Sequence, residues 1–259
     1  MLRGRIDEAL EKVEKVRSDD RFDIIMDTLS GDPERYGEFF AEPVVIETEA
    51  IYPVDTYGEA VTPFYTVLAI WVGALILTAV IKTRPSENAF PEARGYERFF
   101  GRYILFFILG QFQTLVTVIG NFAIFHIQCE HPIYFWFAAA MTSLTFSLLI
   151  FSLVFSFGDV GKAIAVVLVV LQIAGSSGTY PIELLPAFFQ KVYIFFPFPY
   201  GINAMREAMA GMYDHAYAIY LIELSAFIVL SLAIGIWIRK PFSELNHFME
   251  ERMEDTEMM

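Results

Sequence analysis

Cysteine occurs once in 259 residues, at Cys129, which excludes an intramolecular disulfide framework and a multi-cysteine zinc site. Charge is nearly absent from the middle of the chain. Of 31 Asp and Glu, 16 lie in residues 1–62 and 6 in residues 243–259, and only 18 Lys and Arg are present in all. A net charge of -13 carried on the two ends leaves no basic footprint for nucleic acid. A phosphate loop is also missing. Residues 158–162, Gly-Asp-Val-Gly-Lys, lack the GxxxxGK[ST] spacing and read as a tight turn, so any ATP would be hydrolysed by another subunit. Residues 1–62 contain no apolar stretch of signal-peptide type.

No catalytic or cofactor constellation emerges. His215 and His247 flank the last apolar run, on opposite sides of it, which leaves the usual nucleophile sets without partners. His126, Cys129, Glu130 and His131 are metal-ligating residue types, but they crowd one tight connection and no second cluster completes a tetrahedron. A polar cap between two helices is the simpler reading.

What the chain has in excess is apolar residues, 56% of the total with 26 Phe, and they come in long runs. A bilayer core of about 30 Å is crossed by about 20 apolar residues in a helix. Five runs approach that length, at residues 64–81, 103–125, 133–157, 163–176 and 216–238. They predict an all-α integral membrane protein, with the first run starting after Pro63. Cytoplasmic loops carry the excess of Lys and Arg. With the first span running inward, the inside holds nine (Lys82, Arg84, Arg94, Arg98, Arg102, Lys162, Arg239, Lys240, Arg252) and the outside connections hold two, Lys191 and Arg206. That ratio places residues 1–62 outside and the acidic tail, 241–259, in the cytoplasm.

The N-terminal segment reads as folded. Leu2, Ile6, Ala9, Val13 and Val16 follow heptad spacing, a second helical stretch covers residues 22–29, and Asp32-Pro33 fits the start of a third. Residues 44–52 are β-branched and read as extended. Between the fourth and fifth runs, residues 176–212 hold Pro181, Pro186, Pro197 and Pro199, which break any straight span, and seven aromatics from Phe188 to Tyr200. A short re-entrant or interfacial hairpin over residues 181–200, with its aromatics at the outer membrane interface, satisfies both features.

That segment carries a resemblance. The residues Gly178-Thr179-Tyr180-Pro181-Ile182-Glu183-Leu184-Leu185-Pro186, Phe188-Phe189, Pro197-Phe198-Pro199-Tyr200 and Asn203-Ala204-Met205-Arg206-Glu207-Ala208 are similar to the C-terminal membrane region of the YhgE/Pip (phage infection protein) family. That family sits within the ABC-2 type permease superfamily. The likeness extends to Ser18-Asp19-Asp20-Arg21-Phe22, Leu29-Ser30-Gly31-Asp32-Pro33 and Thr62-Pro63-Phe64-Tyr65-Thr66-Val67-Leu68-Ala69, and so covers roughly residues 17–240. It implies an ABC-2 type exporter transmembrane domain that lacks its first helix. Residues 1–62 would be the end of an external coiled-coil stalk, and a separate cytoplasmic ATPase would drive export of a substrate. A homodimer, or a heterodimer with another permease subunit, would complete it. The family also admits a non-transporting cell-surface receptor or scaffold, in phage adsorption or secretion machinery.

Three groups of residues are candidates for function. Gln111, Gln113, Thr114, Thr117 and Asn121 cluster in the second run, where Thr114, Thr117 and Asn121 share one helical face. With Glu223, an acid about seven residues inside the fifth run, they either glue helices or line a path. Arg206 is a candidate partner for Glu223. The outer segment offers Gly178, Pro181, Glu183, Pro186, Pro197 and Arg206 as a gate, with Glu183 and Arg206 bracing it. Tyr96, Arg98, Phe99 and Arg102 form an amphipathic stretch before the second run, read as an interfacial helix touching the ATPase.

Overall fold

The structure, a computed structural model, describes residue 54 and residues 56–84 and 92–238. The chain divides into two compact units, Met1–Ile51 and Tyr52–Met259, and every described residue belongs to the second. The N-terminal heptad and helices, the extended stretch at 44–52, residues 85–91 of the connection after the first run and the acidic tail lie outside the described residues.

All regular structure among the described residues is helical. Helix α1 spans Tyr57–Val80, α2 Gly95–Ala123, α3 Pro132–Phe157 and α4 Asp159–Gly175. A single turn at Ile182–Leu184 leads to α5, Ala187–Val192, and a second turn at Tyr193–Phe195 leads to α6, Phe198–Ala210. Helix α7, Ala216–Ala233, runs on into a wider π turn at Ile234–Ile238. Among the described residues, four helices are long and apolar enough to cross a membrane: α1, α2, α3 and α7 with its extension to Trp237. At 17 residues, α4 is about 25 Å long, a little short of a bilayer core.

Local chemistry shifts three predicted boundaries. Helix α1 starts six residues before Pro63, because Thr56 and Glu59 form a capping box: the Glu59 N–H donates to Thr56 Oγ1 at 3.3 Å and the Thr56 N–H to Glu59 Oε2 at 3.2 Å. Pro63 is tolerated inside the second turn. Residues 95–102, expected as a separate interfacial helix, are instead the first turns of α2, capped by the Arg94 N–H on Glu97 Oε2 at 2.7 Å. The expected turn at residues 158–162 shrinks to Gly158, whose φ of +61° reverses the chain without a Cβ penalty, and α4 begins at once.

The prolines of residues 176–212 act as initiators more than as breakers. Pro186 immediately precedes α5, Pro197 precedes α6 and Pro199 sits in its first turn, where a missing N–H costs nothing. Pro197 therefore opens a 13-residue helix in which Phe198, Ile202, Ala204, Met205 and Ala208 are fully buried.

Helix α3 is the hub. It packs on α1, α2, α4, α6 and α7, and 78% of its apolar window is buried, against 17% for α7. Two aromatic clusters hold it. Trp71 of α1, Phe146 of α3 and Phe198 of α6 meet with ring centroids 5.0 to 5.4 Å apart. Nearer the other end, Phe99, Tyr103 and Phe106 of α2 interleave with Phe151 and Phe155 of α3. Phe99, Phe106, Phe151 and Phe155 thus spend part of the Phe excess on packing α2 against α3. Outward, α2 and α4 expose Ile104, Ile108, Phe112, Val116, Val167 and Val170, an apolar girdle that only lipid or another apolar surface can cover.

Candidate functional site

The polar residues of α2 bind neighbouring helices. Asn121 donates from Nδ2 to Thr66 Oγ1 of α1 at 2.8 Å, Gln113 from Nε2 to the Ala69 carbonyl of α1 at 3.0 Å, and Gln111 from Nε2 to the Ala140 carbonyl of α3 at 3.0 Å. Thr114 and Thr117 turn back onto carbonyls of their own helix, Gly110 and Gln113. Polar groups in an apolar medium are costly when unpaired, so these bonds fix the register of α1, α2 and α3. Gly73 permits the Gln113 bond, because a Cβ there would overlap the Gln113 amide.

Sequence reasoning missed two residues of the same kind. Gln172 of α4 is fully buried, and its Oε1 accepts the Phe198 N–H at 3.3 Å, capping the start of α6. Trp71 donates from Nε1 to the Ala165 carbonyl of α4 at 3.3 Å. The signal was present in each case, a lone amide or indole in an apolar run, but nothing in the sequence said which helix would receive it.

At the end of the bundle predicted to be cytoplasmic, Arg84 reaches from the connection after α1 to the last carbonyls of α3. Its Nε donates to the Phe155 carbonyl at 3.0 Å and its Nη2 to the Ser156 carbonyl at 3.3 Å. A cation on a helix C-terminus is favourable on charge as well as hydrogen bonding. Of the four residues read as an ATPase contact, Phe99 is fully buried in the α2–α3 zipper and has no surface to offer. Tyr96 is exposed, and Arg98 and Arg102 are half-buried.

At the opposite end, Arg206 donates from Nη2 to the Gly178 carbonyl at 2.8 Å, bracing the link between α4 and α6. Gly178 is buried against Phe64 of α1, where a Cβ would collide with the ring. Pro197 is buried, whereas Pro181, Glu183 and Pro186 are exposed. The backbone carbonyl of Glu183 accepts from Gln190 Nε2 at 3.1 Å, so that acid's contribution to the brace is its main chain. The expected Arg206–Glu223 pair does not form. Glu223 stands exposed on the outer face of α7, on the side of Tyr200, whose hydroxyl pKa is raised by burial and then by the Glu223 charge. The two side chains leave their helices toward different neighbours, which spacing along the sequence cannot reveal.

The 126–132 loop is a strap across α6. The N–H groups of Glu130 and His131 donate to the Met209 and Ala208 carbonyls, each at 3.0 Å, and Cys129 Sγ donates to the Ala208 carbonyl at 3.5 Å. Burial pushes the Cys129 thiol from its ordinary value of 9.0 up to about 11, outweighing a lowering hydrogen bond from the His131 backbone. Only the thiolate is nucleophilic, so a raised pKa means slow alkylation near neutrality. Iodoacetamide should modify Cys129 roughly 300-fold more slowly at pH 7.4 than it modifies a free thiol of pKa about 8.5, in proportion to the thiolate present. The rate should then climb steadily between pH 8 and 10; a plateau below pH 9 would contradict the buried setting.

These geometries sit inside a recognisable family frame. A family model described as ABC-2 family transporter protein matches residues 41–237. The protein called Uncharacterized protein YhgE of Bacillus subtilis (strain 168) is 33% identical over 183 residues, which is 71% of this chain and 23% of that relative. The chain thus spans about a quarter of the length of the curated relative it matches. No solved structure matches it. On the family match over most of its length, together with the apolar helices on which that match falls, the chain is a helical membrane protein that belongs to the ABC-2 transporter family and is similar to YhgE.

Proposed function

We propose that this chain is the permease part of an exporter that moves its substrate outward, driven by a separate cytoplasmic ATPase. In this reading α4 is a fifth span, its shortness met by local thinning of the bilayer. The turns and α5 between α4 and α6 dip into the outer leaflet as a gate, residues 1–62 are external and the tail is cytoplasmic. The observation that carries the drive is the Arg84 strap. It ties the connection between α1 and α2, where the ATPase would push, to the C-terminus of the hub helix, one residue from the Gly158 reversal. A push there moves α3 and α4 together.

Glu223 supports a two-subunit assembly. An ionisable group among the exposed apolar residues Ile219, Ile222 and Val229 is expensive in lipid. A second permease subunit, identical or not, covers it and supplies a polar partner.

The receptor or scaffold reading is favoured by one observation: the amides of α2 are spent on neighbouring helices, leaving no polar row along a path. Affinity purification of the full chain from its native membrane separates the two readings. The exporter reading expects a nucleotide-hydrolysing subunit to co-purify, with its vanadate-sensitive turnover reduced several-fold by Arg84→Ala. A complex that hydrolyses no ATP, and whose surface function survives Glu223→Gln but not deletion of residues 1–59, would establish the scaffold instead.

A further inference from the structure

An open cleft of about 510 Å³ lies beside α6, bordered by the link that follows α4 and by α7. Its polar lining includes Asn203, Arg206, Glu207 and Tyr220 with the hydroxyls of Ser177 and Thr179, and its floor is apolar at Met209 and Ala210. Cavities of this size hold small ligands or headgroups. Arg206 is the cation of the cleft. A guanidinium has five N–H donors, and the hydrogen bond to the Gly178 carbonyl uses one of them while fixing the group in place. No carboxylate among the described residues pairs with Arg206. A guanidinium held in place among hydroxyls and an amide, with no ion pair among the described residues, is built to receive an oxyanion in forked geometry.

The charge of that anion can be narrowed. Glu207 lines the same cleft, with its Oε2 accepting the Tyr213 N–H at 2.9 Å. A carboxylate one residue from the guanidinium repels a dianion far more than a monoanion. A singly charged phosphodiester fits better than inorganic phosphate. The rim points to the bulk attached to it: Tyr180, Leu184, Phe188 and Phe195 are all exposed along the adjoining segment, the composition of a membrane-interface belt.

We propose that this cleft binds the phosphodiester of a phospholipid headgroup, with Arg206 as the phosphate ligand and Asn203 and Tyr220 as neutral donors. Its assignment to the outer leaflet rests on the orientation in the exporter reading; the chemistry of the cleft does not.

The test is native mass spectrometry of the delipidated full chain in maltoside micelles, with added phosphatidylethanolamine or phosphatidylglycerol and with diacylglycerol as the phosphate-free control. Both phospholipids should bind and diacylglycerol should not. Arg206→Gln should weaken phospholipid binding at least about tenfold, the loss of one charge-assisted contact, with partial recovery in Arg206→Lys. Because Arg206 also braces Gly178, Asn203→Asp is the second variant. It leaves that brace intact, adds a repelling charge to the cleft and should weaken binding by a similar factor. Equal binding by wild type and both variants, or diacylglycerol binding as well as phospholipid, overturns the site.

Soluble glycerophosphoethanolamine identifies the source of the ligand. Displacement of lipid at millimolar concentration supports a free phosphodiester; failure to displace, with the Arg206 dependence retained, supports the lipid. The side of the membrane is read separately, in a Cys129→Ser background. A cysteine introduced by Thr179→Cys should react with an impermeant maleimide added to intact cells. If it reacts only from the cytoplasmic side, the proposed orientation falls while the binding result stands.

Discussion

Replacing Trp71 with alanine lowers the stability of the folded bundle by about 3 kcal/mol. Trp71 is 0% exposed and lies where α1, α3, α4 and α6 converge. Its ring meets Phe146 edge-on at 5.0 Å and Phe198 at 5.4 Å, and its indole N–H is anchored on α4. In water such a truncation costs both transfer energy and a cavity. In lipid the transfer part shrinks, since acyl chains are as apolar as the core, and the lost packing remains. That places the expectation at the lower end of the range of about 3–5 kcal/mol known for Trp→Ala. Unfolding of detergent-solubilised protein in graded dodecyl sulfate, followed by the fluorescence of Trp136 and Trp237, measures it. A loss under about 1 kcal/mol would mean the site collapses to fill the gap, and the convergence at Trp71 is then not what orders α6.

Gly161→Val should be more damaging still and should leave little folded protein in the membrane. A Cβ at Gly161 would overlap the Leu153 carbonyl and stand 2.8 Å from the Val154 nitrogen. Those are main-chain atoms of α3, which cannot swing aside as a side chain can. The close approach follows from the Gly158 reversal, which sends α4 back along α3 with no connecting loop. Relief requires pulling the two helices apart, so the cost exceeds the about 1–3 kcal/mol usual for overpacked sites that are able to adjust. The internal control is close at hand. A Cβ at Gly101 or Gly120 meets nothing within 4 Å. Gly101→Ala and Gly120→Ala should be neutral or stabilise α2 by up to about 1 kcal/mol, from helix propensity alone. Expression and size-exclusion profiles of the three variants separate these outcomes, and a monodisperse Gly161→Val protein would contradict the packing at the reversal.

Nothing in the sequence distinguishes Gly161 from Gly101 or Gly120, and the same division runs through the whole protein. Residue order alone located the apolar runs, the aromatic, proline-rich segment between the fourth and fifth of them and the concentration of acid at the two ends, because each depends on composition within a short window. The capping box at Thr56 and Glu59 was equally local, but it was obscured by Pro63, a stronger signal of the opposite sign. Facing was not legible. Helices α3 and α7 are comparably apolar all round, yet 78% of one and only 17% of the other is buried. In water a helix shows its inner face by the polarity of its outer one; in lipid both faces are apolar, so periodicity carries little information about burial.

For the same reason Phe99 and Phe100, adjacent and identical, part company. Phe99 is wholly buried in the zipper and Phe100 is exposed. The partners of Asn121, Gln172, Arg84 and Arg206 also lay beyond the sequence, since each bond joins segments that are distant along the chain, and only the packing of backbones brings donor and acceptor within reach. Residue order and composition are enough to make this chain a helical membrane protein and to mark the segments polar enough to matter. Which of those polar groups are consumed in holding helices together, and which, like Arg206, still face a cavity, is settled by packing, because that depends on distances between helices and not on the character of any one of them.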